Sequence, residues 1–598
     1  MTMTTDNFTP DWAKRAIWYQ IFPDRFHNGD PANDPTLDST RFSYPHDYSL
    51  PWRLHPWTSD WYELQPYERA AGLDLWKSLQ RRRYGGDLQG ILDKLDYLQD
   101  LGVTALYLNP VFDAASLHKY DGNTYHHIDV HFGPDPVGDR RLIAAETPDD
   151  PRTWVWTAAD RLMLTLIAEV HRRGMRVILD GVFNHLGLNS FAFQDLVAKG
   201  RASRFKDWFK VLDWDTPSRF APFTYRGWFG APELPELNQD ENGTVAGPKD
   251  YIFACTRRWL DPASAPGGLP AGVPDGGGLD GWRLDVAFCV KHGFWKDWRR
   301  HVKSINPDAY LVAEIVLEDA DEPYLQGDEF DAVMNYRWMF TCAAFFAQAS
   351  HRLPASEFDQ RLKQLRAAHP AGVAYGMHNL LTSHDTARLA SLIVNGRRAY
   401  FDGWKELHPK SQAANNAAYD TRRPTPEERA RHKLMVLFQM TDVGAPVVYY
   451  GDEAGMWGAN DPCCRKPMVW PEFTYAAEAA LPDGTRRPAP DPVAFDPDLH
   501  AYYRQLIALR RGSLALQIGE FQTLWIDDAA GGYAFERRHA AERVVVILNP
   551  HSAAQTVTLP LAGRWVDALN GGRAYEAAAG ALTVTVPALS GCLLQAEA

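Results

Sequence analysis

The chain has 598 residues, of which 45% are hydrophobic, and it contains 44 Gly, 41 Pro and 21 Trp. A chain of this composition can bury a large core and is not disordered, and it is long enough for a barrel of roughly 250 to 400 residues with additional domains. The formal net charge of −13 argues against a nucleic-acid or anionic-membrane surface, which would need clustered Lys and Arg.

The amino terminus and the cysteines bear on where the protein resides. The first residues lack the basic and then apolar segments of a signal peptide, and no window holds the roughly 18 apolar residues of a membrane span. The cysteines show no spacing typical of a disulfide framework or a zinc site, so we expect reduced thiols. The sequence therefore predicts a soluble cytoplasmic protein.

Eight short apolar runs recur along the chain. They span residues 16–22, 103–108, 175–179, 280–284, 310–312, 332–335, 377–381 and 446–450. Between most of them lie segments such as 87–98 and 161–170, in which apolar residues recur at the i, i+3, i+4 and i+7 positions of a helix. This alternation predicts an α/β fold with parallel strands, a (β/α)8 TIM barrel, and a six-strand doubly wound sheet is the alternative.

The uneven spacing of the runs indicates further domains. The long interval after Leu108 predicts a small inserted domain at 109–174, which leaves 1–108 and 175–512 for the barrel. From about Ser513 the helical period gives way to β-like stretches such as 543–548 and 581–586. Residues 513–598 are therefore predicted to form an antiparallel β-sandwich.

Four segments carry carboxylates, histidines and an arginine close to apolar runs. They are Asp180-Gly-Val-Phe-Asn-His185, Gly281-Trp-Arg-Leu-Asp-Val-Ala287, Ala313-Glu-Ile315 and Thr382-Ser-His-Asp-Thr386. Each is expected at the carboxyl end of a parallel strand, which is where a (β/α)8 barrel keeps its active site.

The residue types in these segments suit the cleavage of a glycosidic bond. One group must protonate the leaving oxygen, and a second must meet the positive charge that grows at the anomeric carbon. Asp285 and Glu314 on adjacent strands could lie about 5 to 5.5 Å apart, which suits a retaining mechanism. Arg283 shares a strand face with Asp285 and could keep it ionised, whereas a less polar setting would raise the pKa of Glu314.

Further residues of these segments could bind the sugar. Asp385, with His384 beside it, could hold sugar hydroxyls and reinforce the transition state without forming a bond. His185 could act as a neutral donor to a hydroxyl. Any one of these residues taken singly is more often a turn, cap or core residue, so the hypothesis depends on all four segments meeting at one site.

The four segments resemble the short regions shared by the α-amylase family, glycoside hydrolase family 13, and the resemblance covers roughly residues 12 to 598. It extends to the stretches 102–110, 234–238 and 444–453. The resemblance implies that Asp285 is the nucleophile, Glu314 the general acid/base and Asp385 the transition-state stabiliser.

Within the family, the chain is most similar to the neopullulanase, cyclomaltodextrinase and maltogenic amylase group. Leu234-Pro-Glu-Leu-Asn238 and His118-Lys-Tyr-Asp121 resemble segments of that group, which implies that His118 and Tyr120 line the subsite of the reacting sugar. The implied activity is hydrolysis of α-1,4 bonds in maltooligosaccharides or related α-glucans, with cyclodextrin and pullulan as candidates. A transferase or isomerase of the trehalose synthase or amylosucrase type is an alternative, and a catalytically silent carbohydrate-binding relative is another.

Three positions depart from that group. The first predicted strand begins at Ala16, which leaves no room before it for the group's N-terminal β-domain, and the oligomeric state stays open. Phe288-Cys289 stands where the group has Asn-Glu, and this change bears on acceptor specificity and transglycosylation. Lys291-His292 replaces the common Asp-His.

A second candidate site is a loop rich in oxygen ligands. Side-chain carboxylates, amides and a backbone carbonyl suit Ca²⁺ better than Zn²⁺, although Asn-Gly-Asp is also an ordinary turn signal. The resemblance implies a structural calcium ion, and its predicted ligands are Asn28, Asp30, Asn33, Asp34, Gly85 and Asp87.

Two other patterns are not expected to be functional. Residues 276–281 fit a dinucleotide-binding glycine motif, but they precede a predicted strand where the motif must follow one. His126 and His127 could suggest a metal site, but neighbours on an extended segment point apart, so we do not expect them to share an ion.

Overall fold

The computed structural model describes residues 8–316, 321–347, 352–370, 372–396 and 403–597. Eight parallel strands form a barrel: β1 (Trp18–Ile21), β2 (Ala105–Leu108), β3 (Arg176–Gly181), β4 (Gly281–Leu284), β5 (Tyr310–Ala313), β6 (Ala332–Val333), β7 (His378–Leu380) and β8 (Ala445–Tyr449). They pair in the order β6-β5-β4-β3-β2-β1-β8-β7, and a parallel bridge between Met334 and His378 joins the two ends. The predicted TIM barrel is confirmed, and the doubly wound alternative is wrong.

Seven of the described helices follow the strands in the chain. They are α1 (Leu95–Leu101), α2 (Ala158–Arg172), α3 (Ala246–Leu260), α4 (His292–Ile305), α5 (Ala355–Ala367), α6 (Pro426–Thr441) and α7 (Pro497–Arg511). The α2 helix begins with a capping box between Thr157 and Asp160, which satisfies backbone donors that its first turn leaves free. In the part of the chain that the structure describes, no helix is both long and apolar enough to cross a membrane.

Further helices lie in the connections between these elements. They span Asp11–Lys14, Pro66–Ala71, Leu75–Arg81, Leu88–Asp93, Pro136–Ile143, Phe191–Lys199, Tyr336–Cys342, Val373–Gly376, Leu389–Val394, Trp404–Ser411 and Leu514–Ile518. Two small antiparallel hairpins pair Val211–Asp213 with Thr224–Tyr225 and Glu478–Ala480 with Arg486–Asp491. The loops therefore add most of their bulk near the carboxyl ends of the strands.

Alternate strand residues fill the barrel interior. Trp18 on β1 packs its ring 5.4 Å from that of Tyr310 on β5 and 4.6 Å from that of His378 on β7. Gln20 lies two residues after Trp18 on β1, and Arg283 lies two residues after Gly281 on β4. Both side chains are on the inward face of the barrel and are fully buried. The barrel is thus packed at its base and polar toward the carboxyl ends of its strands.

The connection from β2 to α2 lies over this polar end. Two isolated bridges, Phe112 with Ile128 and Ala114 with Gly122, shape its first part, and a helix follows at Pro136–Ile143. The α2 helix occupies residues 158–172, within the segment 109–174 that was predicted as an inserted domain, and those bounds stay a prediction.

The carboxyl-terminal domain is antiparallel, as predicted. Its strands are β9 (Glu520–Asp527), β10 (Gly532–His539), β11 (Glu542–Asn549), β12 (Gln555–Leu559), β13 (Arg564–Asp567), β14 (Arg573–Glu576), β15 (Leu582–Val586) and β16 (Ser590–Ala596). A six-stranded sheet in the order β9-β10-β11-β16-β13-β14 and the β12-β15 pair enclose a separate apolar cluster. The opposite face of the large sheet, including Phe535 and Val546, joins the main core of the protein.

Candidate active site

The carboxyl ends of β4, β5 and β7 bring the predicted acids together around one arginine. The guanidinium of Arg283 donates from Nη1 to Asp285 Oδ1 at 2.9 Å and pairs through Nη2 with Glu314 Oε1 at 2.8 Å. Both carboxylates are largely buried, and Asp385 lies close enough to raise the pKa of Glu314. Acids from three separate strands therefore share one pocket.

Asp180 is a fourth carboxylate of this pocket, to which the sequence reasoning gave no role. Arg283 Nη1 binds both of its oxygens, at 2.8 and 3.0 Å. The hydroxyls of Tyr107 and Tyr120 donate to its Oδ2 at 2.7 and 2.9 Å. Asp180 thus holds the guanidinium of Arg283 in place. Its position near the end of the buried strand β3 is the feature of the sequence that could have identified it as a site residue.

The charge of Arg283 is divided among three carboxylates, whereas the sequence assigned it to Asp285 alone. Burial raises the pKa of Asp285, and the nearby charges of Glu314 and Asp180 add to this effect while Arg283 opposes it. Burial likewise raises the pKa of Glu314, although Arg283 and the backbone N–H of Val286, 3.0 Å from Oε2, favour its charged form. The pair therefore retains a proton at a higher pH than free carboxyls do.

Asp385 is in the opposite electrostatic situation. Burial disfavours its charge, but His384 and Arg465 overcome this effect and hold the pKa of Asp385 far below its usual range. His384 Nε2 lies 2.9 Å from Oδ2, and Arg465 Nη2 donates to Oδ1 at 2.9 Å. Arg465 also donates to the carbonyl of His384 at 2.8 Å. Sequence reasoning missed Arg465 because it lies on a loop after β8, outside the four segments.

His118 and Tyr120 reach the pocket from the β2–α2 connection. The ring of Tyr120 stacks on that of His384, with centroids 5.4 Å apart and an interplanar angle of 11°. His118 Nδ1 accepts a hydrogen bond from the backbone N–H of Tyr120 at 3.1 Å, so its other ring nitrogen can act as a donor. Burial keeps the pKa of His118 well below its usual value, and this histidine is therefore neutral.

His185 is held differently from the expectation. Its Nε2 lies 3.0 Å from the carbonyl oxygen of Tyr120, and its Nδ1 lies 3.1 Å from the side-chain nitrogen of Asn184. Burial lowers the pKa of His185 to about 4, so the ring is neutral. Both ring nitrogens thus have protein partners, and His185 positions the backbone of Tyr120.

A cavity of about 690 Å³ has a lining that includes Trp228, Phe229, Glu236, Phe288 and Cys289. Burial raises the pKa of Cys289 to about 11, and the charges of Asp285 and Glu314 add to this effect, so these two acids lie near one wall of the cavity. Phe229 is 77% exposed and has a left-handed backbone with φ of 46°. Such volume and aromatic lining are typical of a ligand site of about 300 to 1,000 Å³.

The predicted calcium ligands also come together, at the base of the loop after β1. Asp87 caps the helix Leu88–Asp93 and accepts hydrogen bonds from the backbone of Gly29, Asp30 and Gly90 and from the side chain of Asn33. Its carboxylate therefore ties residues 28–34 to residues 85–90.

Free acceptors remain in this loop. Asn28 donates to Asp34 Oδ1 at 2.7 Å, but the amide oxygens of Asn28 and Asn33 are buried and have no hydrogen-bond partner. Gly85 has φ of 77°, and a Cβ added there would lie 2.3 Å from Asp34 Oδ1. Buried oxygen acceptors beside carboxylates are a donor set that fits a hard cation such as Ca²⁺.

Comparisons with known proteins find similar domains and relatives. The model of the α-amylase catalytic domain matches residues 20–143, 158–241 and 273–519, and that of the α-amylase C-terminal all-beta domain matches 525–597. Neopullulanase 2 from Thermoactinomyces vulgaris is 36% identical over 569 residues, which cover 94% of this chain and 74% of that protein. Cyclomaltodextrinase from Geobacillus thermopakistaniensis is 34% identical over 582 residues, covering 97% and 76%. The solved structure of cyclic α-maltosyl-(1→6)-maltose hydrolase from Arthrobacter globiformis has a TM-score of 0.67 and 28% identity, covering 99% of this chain and all of that one.

Proposed function

The chain belongs to the α-amylase family, and from this premise we propose that it is a retaining glycoside hydrolase. Its substrates are α-1,4-linked maltooligosaccharides or related α-glucans, with cyclodextrin and pullulan as candidates. The observation that carries this proposal is the single guanidinium of Arg283, which holds Asp285 and Glu314 side by side within reach of Asp385.

Two displacements describe the proposed reaction. A carboxylate oxygen of Asp285 forms a bond to the anomeric carbon while the bond to the leaving oxygen breaks, and Glu314 gives that oxygen its proton. Glu314 then takes a proton from water, whose oxygen attacks the same carbon and releases Asp285. The pKa of both Asp285 and Glu314 is raised, which supports a pair that starts the reaction with one proton, and the proposal assigns that proton to Glu314. The low pKa of Asp385 supports a fixed negative charge near the transition state.

The reacting sugar would lie between the ring of Tyr120 and the carboxylates. Asp385 and His118 offer an acceptor and a donor for its hydroxyls, and Tyr120 offers an aromatic face. Arg465 and His384 hold Asp385 in place. These contacts orient the anomeric carbon toward Asp285 and exclude water from one side.

The leaving part of the glucan would lie in the cavity beside Phe288 and Cys289. Trp228 and Phe229 present aromatic surface there, and the Trp228 ring is 5.7 Å from that of His185. Aromatic rings match the apolar faces of glucose units, and the polar groups of the rim can meet their hydroxyls.

Transfer to a sugar acceptor is the second candidate outcome. The apolar ring of Phe288 and the thiol of Cys289 line the acceptor cavity, and a less polar wall favours a sugar over water as the second nucleophile. The silent-relative alternative is disfavoured because all three acids are present and lie in one pocket.

Calcium would have a structural role. Asn28, Asp30, Asn33, Asp34, the carbonyl of Gly85 and Asp87 would hold the ion, and the two unpartnered amide oxygens support this assignment. The ion would join the loop after β1 to the helix that begins at Leu88. We also propose a cytoplasmic location, which is supported by the six free cysteines.

The decisive experiment is a product profile on maltotriose, cyclodextrin, pullulan, trehalose and sucrose, with the anomer of the first product followed by NMR. Retention predicts that the α-anomer forms first, and initial β-anomer would contradict the mechanism. Larger oligosaccharides formed from maltotriose would establish transfer, and interconversion of maltose and trehalose would establish isomerase activity.

A further inference from the structure

Two neighbouring histidines outside the active site converge on one carboxylate. His126 Nε2 lies 3.3 Å from Glu146 Oε2, and His127 Nε2 lies 2.9 Å from the same oxygen. The expectation that these histidines point apart is therefore wrong. Residues 126 and 127 lie in a bent segment rather than a regular strand, so the alternation of side chains does not apply to them.

The cluster is sealed from water. His126, His127 and the side chain of Glu146 are each at least nine-tenths buried. Trp154 stacks on His126 with ring centroids 4.2 Å apart, and this contact closes one side. Groups that titrate are seldom buried together unless each has a compensating partner, so the arrangement needs a charge balance.

The other ring nitrogens have oxygen partners. His127 Nδ1 lies 2.7 Å from a carboxylate oxygen of Asp160, and His126 Nδ1 lies 2.8 Å from the hydroxyl of Tyr251. Histidines that bind metals usually donate their second N–H to such an oxygen, which fixes the tautomer and leaves the Nε2 lone pair free. Asp160 and Tyr251 lie on α2 and α3, so they hold the rings from two different helices.

In the tautomer in which both Nδ1 atoms donate, two Nε2 lone pairs face a carboxylate oxygen of Glu146, and a cation at the centre would accept all three lone pairs. The Nε2 atoms and the carboxylate oxygen lie within 4.8 Å of one another. Tetrahedral bonds of about 2.0 Å place ligand atoms about 3.3 Å apart, close to the two contacts with Glu146.

We propose that His126, His127 and Glu146 form a structural Zn²⁺ site in the β2–α2 connection. Two imidazoles and a carboxylate are a ligand set that zinc favours over calcium. A water molecule or the second oxygen of Glu146 would complete four ligands. The ion would fasten the connection that carries His118 and Tyr120 to α2 and α3.

Glu146→Gln is the sharpest variant for this proposal. The amide keeps the size of the side chain and can still accept from the backbone N–H of Val155, but it is a poor zinc ligand. Glu169→Gln is the matched control, because Glu169 lies on α2 and pairs with Arg172 and Arg173 near the end of that helix. Full-length proteins would be loaded with Zn²⁺, passed over a weak chelating resin and measured for zinc by mass spectrometry.

We expect one zinc per chain in the wild type and in Glu169→Gln, and none above background in Glu146→Gln. Melting with TPEN, a zinc-selective chelator, should lower the Tm of the first two proteins by several degrees, and EGTA in the presence of zinc should not reproduce that shift. Wild-type protein without stoichiometric zinc would overturn the proposal and assign the cluster to a protonated His127 between Glu146 and Asp160. This zinc measurement is made on the wild-type protein, so it does not depend on whether a variant folds.

Discussion

At the scale of single residues, the pocket has more acids than Arg283 can neutralise. Asp180 takes two of the contacts of its guanidinium, and Asp285 and Glu314 share the rest. The surplus negative charge forces one carboxyl of the pair to keep a proton, which is what a retaining mechanism needs at its start. The sequence could indicate which residues meet but not how one arginine is shared, because that depends on rotamers that the fold selects.

Replacing the nucleophile tests the first role. Asp285→Asn keeps the size of the side chain but removes the oxygen that bonds to carbon, so we expect kcat to fall by about 10⁴-fold or more. Circular dichroism and Tm should stay near the wild type. Asp308→Asn, at an exposed site, serves as the control. Wild-type turnover in the Asp285 variant would contradict the assignment.

The basic limb of the pH profile, where the rate falls as pH rises, is expected to report the loss of the proton from Glu314. Burial raises the pKa of Glu314, so its acid form persists above the usual range and the rate should fall only as pH rises through that raised value. Glu314→Gln should lower kcat/KM by about 10²- to 10⁴-fold and remove the basic limb. The measurement is kcat/KM against pH, and a variant that keeps the basic limb would assign it to another group.

A Phe229 variant tests whether the cavity beside Phe288 and Cys289 binds the leaving part of the glucan. Phe229→Ala removes an exposed ring from the cavity, so kcat/KM for long maltooligosaccharides should fall by about tenfold, or about 1.4 kcal/mol. Hydrolysis of α-maltosyl fluoride should not change, because fluoride leaves without occupying the cavity. Phe473→Ala removes an exposed ring outside the cavity lining and is the control. Equal loss on both substrates would place Phe229 in fold stability instead.

At the scale of elements, the periodic spacing of hydrophobic residues along the sequence predicts the strands and helices well. The run 332–335 yields only the two-residue strand Ala332–Val333, yet its apolar pattern and its place before α5 identify it. The long excursions after β1 and β2 are harder to predict, because their shape depends on buried polar hubs such as Asp87. A carboxylate that accepts three hydrogen bonds from residues distant in sequence leaves no periodic trace in the sequence.

The loop around Asp87 gives a prediction for a backbone position. Gly85→Ala adds a Cβ in a left-handed conformation and directs it at Asp34 Oδ1, so we expect a loss of both stability and calcium affinity. Gly484→Ala is the control, because Gly484 has φ of 83° with nothing within 4 Å of the added atom, and it should cost only about 1 to 2 kcal/mol. Calorimetric Tm with Ca²⁺ or EGTA gives the readout. Identical shifts for both variants would exclude a special role of Gly85.

At the scale of the whole molecule, the carboxyl-terminal sheet packs directly on the barrel. Arg537 of β10 is fully buried and donates to the carbonyls of Thr441, at the end of α6, and of Gly519, at 2.7 and 3.0 Å. Composition and strand pattern predict the antiparallel domain, but they give no sign that a buried arginine fastens it, since surface strands also contain arginine.

This interface predicts a coupled loss of stability. Arg537→Ala removes the side-chain donor to the buried carbonyl of Thr441 and leaves the carbonyl of Gly519 only the hydroxyl of Tyr375, so the free energy of unfolding should fall by about 2 kcal/mol. Arg538→Ala, at the exposed neighbouring position of the same strand, should change it by less than about 0.5 kcal/mol. Urea unfolding followed by fluorescence compares the two variants. Equal effects would mean that the arginine does not join the domains.

The acids around Arg283 and Arg465 also determine which inhibitors the pocket should prefer. Five carboxyl groups, those of Asp180, Asp285, Glu314, Asp385 and Asp461, pair with two guanidiniums there, and a neutral sugar supplies no charge to balance them. A small molecule with a protonated nitrogen in place of the anomeric carbon would supply that charge and resemble the transient cation of the reaction. Imino sugars should therefore bind more tightly in alkaline solution, up to the pH at which the amine itself becomes neutral.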